Sequence, residues 1–260
     1  MKNGFFKTKK IIGMVHLLPL PGCPNFDGDI EAIEARALED AKNLKEAGVS
    51  GFIIENFGDV PYDNSISLEA YTVMSNIVAK IKSEVSLPFG INVQFNCFKE
   101  EWALAYANDA DFVRIEAYVE KRFSSYGESD PCAAQIQRLK KQYPCKSLIF
   151  ADVNGKHTYG VPGISIEDAI HDAIEAMADA VIVTGKFTGQ NPSIEDIKKL
   201  RSCFGDFPII IGSGVNADNV NEYLEYADGV IVGSSLKVDG IVTNKIDLVR
   251  AKNFMSKINI

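Results

Sequence analysis

Two carboxylates close apolar runs of the chain: Glu55 ends the run from Gly51, and Asp152 ends the run from Ser147. Desolvation can raise the pKa of a carboxyl group in such a place, which would suit it to giving and taking protons. His157 follows Asp152 closely enough to form a dyad with it or to shuttle protons near pH 7. Lys156 beside it offers a charge that can orient a substrate or stabilise an enolate-like anion. Glu55, Asp152, Lys156 and His157 are the catalytic candidates; the plainer alternative for each is a hydrogen bond that holds a loop.

A second chemistry is suggested near the C-terminal end, where Gly212-Ser213-Gly214 and Gly233-Ser234-Ser235 each follow a β-branched apolar run. Small residues let a phosphate approach the backbone, whose N–H groups, with serine hydroxyls and a helix expected to begin near Ala217, supply donors and positive potential. The alternative is that glycine and serine simply make tight turns. Further polar residues at the ends of apolar runs, His16, Asn56, Asn92, Arg114, Thr184 and Gly185, are candidates for substrate binding. Arg114 suits an anionic substrate as a counter-charge, unless it pairs internally with Glu116 or Asp152. A metal could be drawn among His16, Glu55, Asp152 and His157, but their spacing is not diagnostic; no metal ligand is assigned, and a divalent metal is left open. A G-x-G-x-x-G nucleotide-cofactor turn is absent, because the segment after the first apolar run reads His16-Leu17-Leu18-Pro19-Leu20.

Elements that gather these residues can be read from periodicity. Eight short apolar runs alternate with helical patterns: Ile11 to His16, Gly51 to Glu55, Phe89 to Val93, Phe112 to Ile115, Ser147 to Asp152, Ala180 to Thr184, Pro208 to Gly212 and Gly229 to Gly233. Continuous rather than alternating hydrophobicity marks strands covered on both faces. Between them, Ile30, Ile33, Ala37, Ala41 and Leu44 line one helix face that Gly48 can terminate, and Met74, Ile77, Val78 and Ile81 line the next. Ser-Ile-Glu-Asp occurs at Ser165 and again at Ser193, each a serine cap with acids suited to a helix N-terminus. Ala178-Asp179-Ala180-Val181 is echoed at Ala227 and at Ala110, as a repeated βα unit would leave it. Eight units without a linker or composition shift predict one α/β domain over residues 1–260, a closed (β/α)8 barrel, with ligands at the C-terminal ends of its strands.

Composition narrows the function classes. A net charge of −8 without a basic run argues against nucleic acid, and no apolar stretch is long enough to span a bilayer. The five cysteines form no C-x-x-C pair and read as reduced thiols of a cytosolic protein. Lys7, Lys9 and Lys10 before an apolar segment resemble a short leader, but His16 and two prolines interrupt that segment, and it is needed as the first strand. Oligomerisation is left open.

Six segments together resemble the BtpA family, which includes SgcQ-type proteins. They are Ile12 to Gly22 with its H-L-x-P-L-P-G string, Ile54 to Asp59 with E-N-F-G-D, Asp152 to His157, Val183-Thr184-Gly185, Gly212 to Val215, and Val232 to Lys237. The resemblance implies a TIM barrel of the ribulose-phosphate-binding type. It also implies one of two settings: carbohydrate metabolism, as for SgcQ-type members encoded beside sugar-uptake genes, or photosystem I biogenesis, as for the cyanobacterial name-giver. Asn154, where relatives tend to carry histidine, and the stretch from Glu116 to Asp130 depart from the family pattern, pointing to a different ligand. The expectation is an enzyme acting on a small phosphorylated metabolite, such as an isomerase, epimerase, lyase or hydrolase; the alternative is a non-catalytic assembly or regulatory factor.

Overall fold

The computed structural model describes residues 4–155, 158–185 and 191–259. Its strands are β1 (Lys10–His16), β2 (Gly51–Glu55), β3 (Phe89–Asn92), β4 (Phe112–Ile115), β5 (Arg122–Ser124), β6 (Gly127–Ser129), β7 (Leu148–Val153), β8 (Ala180–Val183), β9 (Ile209–Ile211) and β10 (Gly229–Val232). The helices are α1 (Ile30–Ala47), α2 (Leu68–Glu84), α3 (Phe98–Asn108), α4 (Ala133–Gln142), α5 (Ile166–Glu175), α6 (Ile194–Phe204), α7 (Val220–Tyr226) and α8 (Leu248–Met255). Eight strands close a parallel barrel in the order β1-β2-β3-β4-β7-β8-β9-β10 and back to β1. Each expected strand is present within one residue at either end. The antiparallel β5–β6 pair was not expected; it lies within the stretch from Glu116 to Asp130.

Local sequence explains the joints. Asp29 and Ser67 accept the N–H groups of Ala32 and Ala70 at the starts of α1 and α2. Ser165 and Ser193 cap α5 and α6 as expected, Ser165 in a reciprocal box with Asp168. Gly48 ends α1 at φ 88°, a left-handed conformation that favours glycine. The repeated Ala-Asp pair has a common task at the barrel's N-terminal end. The Asp111, Asp179 and Asp228 carboxylates each accept the N–H at the start of an adjacent strand, from Phe89, Ile149 and Ile209 respectively, at 2.9–3.0 Å. Without them those donors would be buried unpaired.

Two apolar layers hold the barrel. Side chains alternate in and out along each strand, so Ile12, Met14, Ile53, Phe112, Phe150, Ile182, Ile210 and Ile231 fill the interior, while the neighbouring residues pack against the helices. Phe112 and Phe150 stack at 4.5 Å, and Phe5 and Phe6 close the N-terminal end against them. The Phe112 ring leaves no space for a Cβ at position 90, which explains Gly90 in β3. All five cysteines are free thiols, and no helix of the described residues is long and apolar enough to cross a membrane.

The same alternation builds the mouth. Two residues beyond the interior apolar layer come His16, Glu55, Arg114, Asp152, Thr184, Gly212 and Gly233, with Asn92 in step after Gly90. The polar set at the strand ends is thus the next inward-facing layer of the barrel.

Candidate functional site

Arg114 stands at the centre of this layer. Its Nε and Nη2 donate to the two oxygens of Asp152 at 3.0 and 2.8 Å, and its Nη1 lies 3.8 Å from Glu55 Oε2. All three side chains are about 5% exposed or less, so a charge on any one of them depends on the others. Burial opposes the Arg114 charge, but Asp152, with Glu55 and Glu116 farther round, outweighs it and moves the pKa up. The internal pairing with Asp152 is therefore made, and Arg114 still faces the open mouth. Gln94 Nε2 donates to Glu55 Oε1 at 2.9 Å and to Asn92 Oδ1 at 3.2 Å, while Asn92 Nδ2 donates to the Arg114 carbonyl.

Two compartments adjoin at Glu55, Phe57 and Arg114. The first encloses about 600 Å3, open mouth included, between His16, Gly212-Ser213-Gly214 and Gly233-Ser234. His16 stacks on Phe57 at 4.2 Å, and its Nδ1 is 3.2 Å from the Val242 carbonyl, an acceptor that calls for the Nδ1–H tautomer. The glycines differ in their reasons. A Cβ on Gly212 would strike Ile182 and Thr184 at 2.5 and 2.7 Å, so its smallness serves strand packing. Gly214 has φ 73°, and a Cβ there would run into Asn191. Gly233 would bring its Cβ no nearer than 3.8 Å to His16 and Met14 and keeps the compartment open.

The second compartment, about 790 Å3 with its mouth, has Glu55, Glu116, Asp152, Arg114 and Gln94 on one side and Phe57, Tyr62, Phe95 and Tyr126 around it. Tyr126 comes from the turn of the β5–β6 hairpin. Glu116 Oε2 accepts the Asn96 N–H at 2.7 Å, whereas Oε1 is buried with no hydrogen-bond partner among the described residues. Burial pushes the Glu116 pKa up to about 8; Arg114 opposes that shift, and Asp152 and Glu55 add to it. A carboxyl group that keeps its proton at neutral pH beside two other carboxyl groups is the arrangement general acid–base chemistry needs.

Other expected site residues serve the scaffold. Asn56 spends its amide on Asp59 and on the Gln94 N–H. Thr184 reaches the Asn154 carbonyl, and the Gly185 N–H donates to Ser213 Oγ. Ser235 ties the β10 loop to the β9 loop through the Val215 carbonyl at 2.7 Å and does not line the first compartment. Lys237, which was not an expected site residue, is fully buried with its Nζ on the Asn244 carbonyl; burial lowers its pKa to about 8, against the pull of Asp40. The turn after β9 closes on itself through Asn216 and Asn219, and α7 begins at Val220, not Ala217, so no helix dipole is aimed from that point. Lys156 and His157 lie outside the described residues. His16, Glu55 and Asp152 form no metal-ligand cluster; the one such group among the described residues, His171, Asp172 and Glu175, is exposed on α5.

Glu116, expected at a strand end only as an internal partner of Arg114, and Gln94, Phe57 and Tyr126 were not among the expected catalytic or binding residues. The first three each lie two positions beyond an expected one, Arg114, Asn92 and Glu55, so continuing the period past the strand ends finds them. Tyr126 has no such signal.

A closed eight-stranded parallel barrel with a layer of buried polar groups at its C-terminal mouth defines a TIM-barrel protein. The backbone is similar to that of N-(5′-phosphoribosyl)anthranilate isomerase from Pyrococcus furiosus, with a TM-score of 0.58 and 15% identity over 96% of this chain and 98% of that one. The sequence matches the BtpA family over residues 7–260, and the chain belongs to that family. Relatives include an uncharacterized protein of Methanocaldococcus jannaschii, 40% identical over 98% of this chain and 97% of its own length. Photosystem I biogenesis protein BtpA of Synechocystis is 33% identical over 94% of this chain and 86% of its own.

Proposed function

We propose that this protein is a cytosolic enzyme acting on a small phosphorylated metabolite of the sugar-phosphate kind. The phosphate rests in the first compartment, on the loops after β9 and β10, with Arg114 as the nearby positive charge. The reacting part faces Glu55, Glu116 and Asp152, which move protons. The observation that carries this reading is the union of the two compartments at Glu55 and Arg114, which sets the small-residue loops after β9 and β10 beside a group of buried carboxyls. Barrels commonly hold phosphate at their last two loops, and the structurally similar isomerase is named for a phosphoribosyl compound. Isomerisation, epimerisation, carbon–carbon cleavage and hydrolysis all suit such a site.

A thermal-shift screen of phosphorylated sugars, each paired with its dephosphorylated analogue, with and without divalent metal, tests the seat. Stabilisation that requires the phosphate is expected; equal shifts within every pair would remove the proposal. For a substrate found in this way, Glu55→Gln and Asp152→Asn should each abolish most turnover, and unchanged turnover would dismiss the proton-transfer roles.

A second reading, a non-catalytic assembly factor, draws on the name of the Synechocystis relative. It predicts a stable complex with a membrane assembly and no phosphate-dependent shift.

A further inference from the structure

The second compartment is polar along one edge and apolar on its faces. Its charged and amide groups sit together on Glu55, Gln94, Arg114, Glu116 and Asp152, and they satisfy most of one another's hydrogen bonds. The Tyr62 hydroxyl donates away to the Phe57 carbonyl, and the Thr158 hydroxyl to the Gly155 carbonyl. Glu116 Oε1 is left buried without a partner among the described residues, in a side chain that lines the cavity and is 6% exposed. Around this edge stand aromatic rings, Tyr62 and Tyr126 edge to face at 5.1 Å and Phe95 at 6.4 Å from Tyr126.

A free sugar fits this pattern poorly. Its hydroxyls are spread around the whole frame, and those turned toward the rings would lose water without gaining a hydrogen bond. A heteroaromatic ring fits it well, because its polar atoms lie at the edge and its two faces are apolar and stack on aromatic side chains. An edge that pairs a ring nitrogen with an N–H also suits Glu116 Oε1 in either state, as an acceptor when ionised and a donor when protonated.

The geometry points to a ligand of the nucleotide class: a phosphorylated sugar whose other end carries a flat nitrogenous ring, held among Phe57, Tyr62, Phe95 and Tyr126 with its polar edge on Glu116. This rests on the phosphate reading of the β9 and β10 loops and adds the recognition of the distal ring.

The test is a calorimetric comparison of ribose 5-phosphate with the four ribonucleoside 5′-monophosphates and the four nucleosides. At least one nucleotide is expected to bind about tenfold or more tighter than ribose 5-phosphate, the gain that base stacking can supply. Tyr126→Ala, a half-buried hairpin position that the barrel core does not need, should remove most of that gain, as should Glu116→Leu. If ribose 5-phosphate binds and no nucleotide binds tighter, or if the gain survives both substitutions, the ring inference is overturned while the phosphate reading stands. If nucleosides bind as tightly as nucleotides and ribose 5-phosphate does not bind, the phosphate reading falls and the ring inference remains. Binding by none of the probes overturns both.

Discussion

The two compartments at the barrel mouth share Glu55, Phe57 and Arg114 yet are made from different kinds of atoms. On the β9–β10 side the walls are largely short loops with small side chains, and what matters is the space left over Gly214 and Gly233. On the β2–β4–β7 side the walls are large side chains, and what matters is which of them are charged and which are rings. The first tolerates little change of volume; the second is sensitive to electrostatics. The same barrel layer produces both because strands that end in glycine leave a hollow, whereas strands that end in Glu, Arg and Asp fill it with charge.

The largest expected effect comes from Arg114, where the compartments meet. Arg114→Met would leave Glu55 and Asp152 buried without their cation, at a cost of about 3–5 kcal/mol in urea unfolding. A loss under about 1 kcal/mol would show that the charges there are neutralised in another way. Next is Gly233→Leu, which should fill the first compartment and abolish the phosphate-dependent thermal shift while the circular dichroism spectrum stays native. Gly214→Leu makes the counter-case: its backbone at φ 73° and its clash with Asn191 should destabilise the fold itself. If both variants keep the fold and the phosphate-dependent shift, the compartment is not the phosphate seat.

Smaller, and confined to the second compartment, is the effect of Glu116 on pH dependence. Its pKa rises from the ordinary 4.5 to about 8 on folding, so the folded chain takes up a proton in that window and stability falls as pH rises through it. Glu116→Gln should flatten that fall, giving a variant whose melting temperature gains on the parent between about pH 5 and 8. Glu55, Asp152 and Arg114 face the same group, and Glu101 behind it is also raised by burial, so the difference between the two proteins is the quantity to read. Parallel melting curves across that range would contradict the assignment. Smallest is Ser235→Ala, which removes one hydrogen bond between the β9 and β10 loops. A melting temperature lower by about 2–4 °C with phosphate affinity unchanged is expected. A selective loss of phosphate affinity would return Ser235 to the binding groups.

Much of the scaffold was legible because its signals are local. Strand limits follow from short β-branched runs, helix starts from Ser165 and Ser193, and the polar rim from the residue that closes each strand. Even the Ala-Asp repeat was visible, though its task of capping adjacent strands arises only in the folded barrel. The site was legible in part. Glu55, Arg114, Asp152, Gly214 and Gly233 do line the mouth, but Asn56 and Ser235 are spent on loop-holding hydrogen bonds, to Gln94 and Val215 across distant parts of the chain and, for Asn56, also to nearby Asp59.

The sequence by itself determined the order of strands and helices and the layer of each strand that faces inward, because those depend on alternation and caps within a few residues. Tertiary structure alone decided that Arg114 is clamped by Asp152 38 positions away, that Lys237 turns into the protein, and that a hairpin brings Tyr126 into the compartment that Glu116 lines. Such outcomes depend on which partners the closed barrel places within hydrogen-bonding distance. The sequence sets the types of side chain available, but burial and distance decide which of them are paired and which are left to meet a ligand.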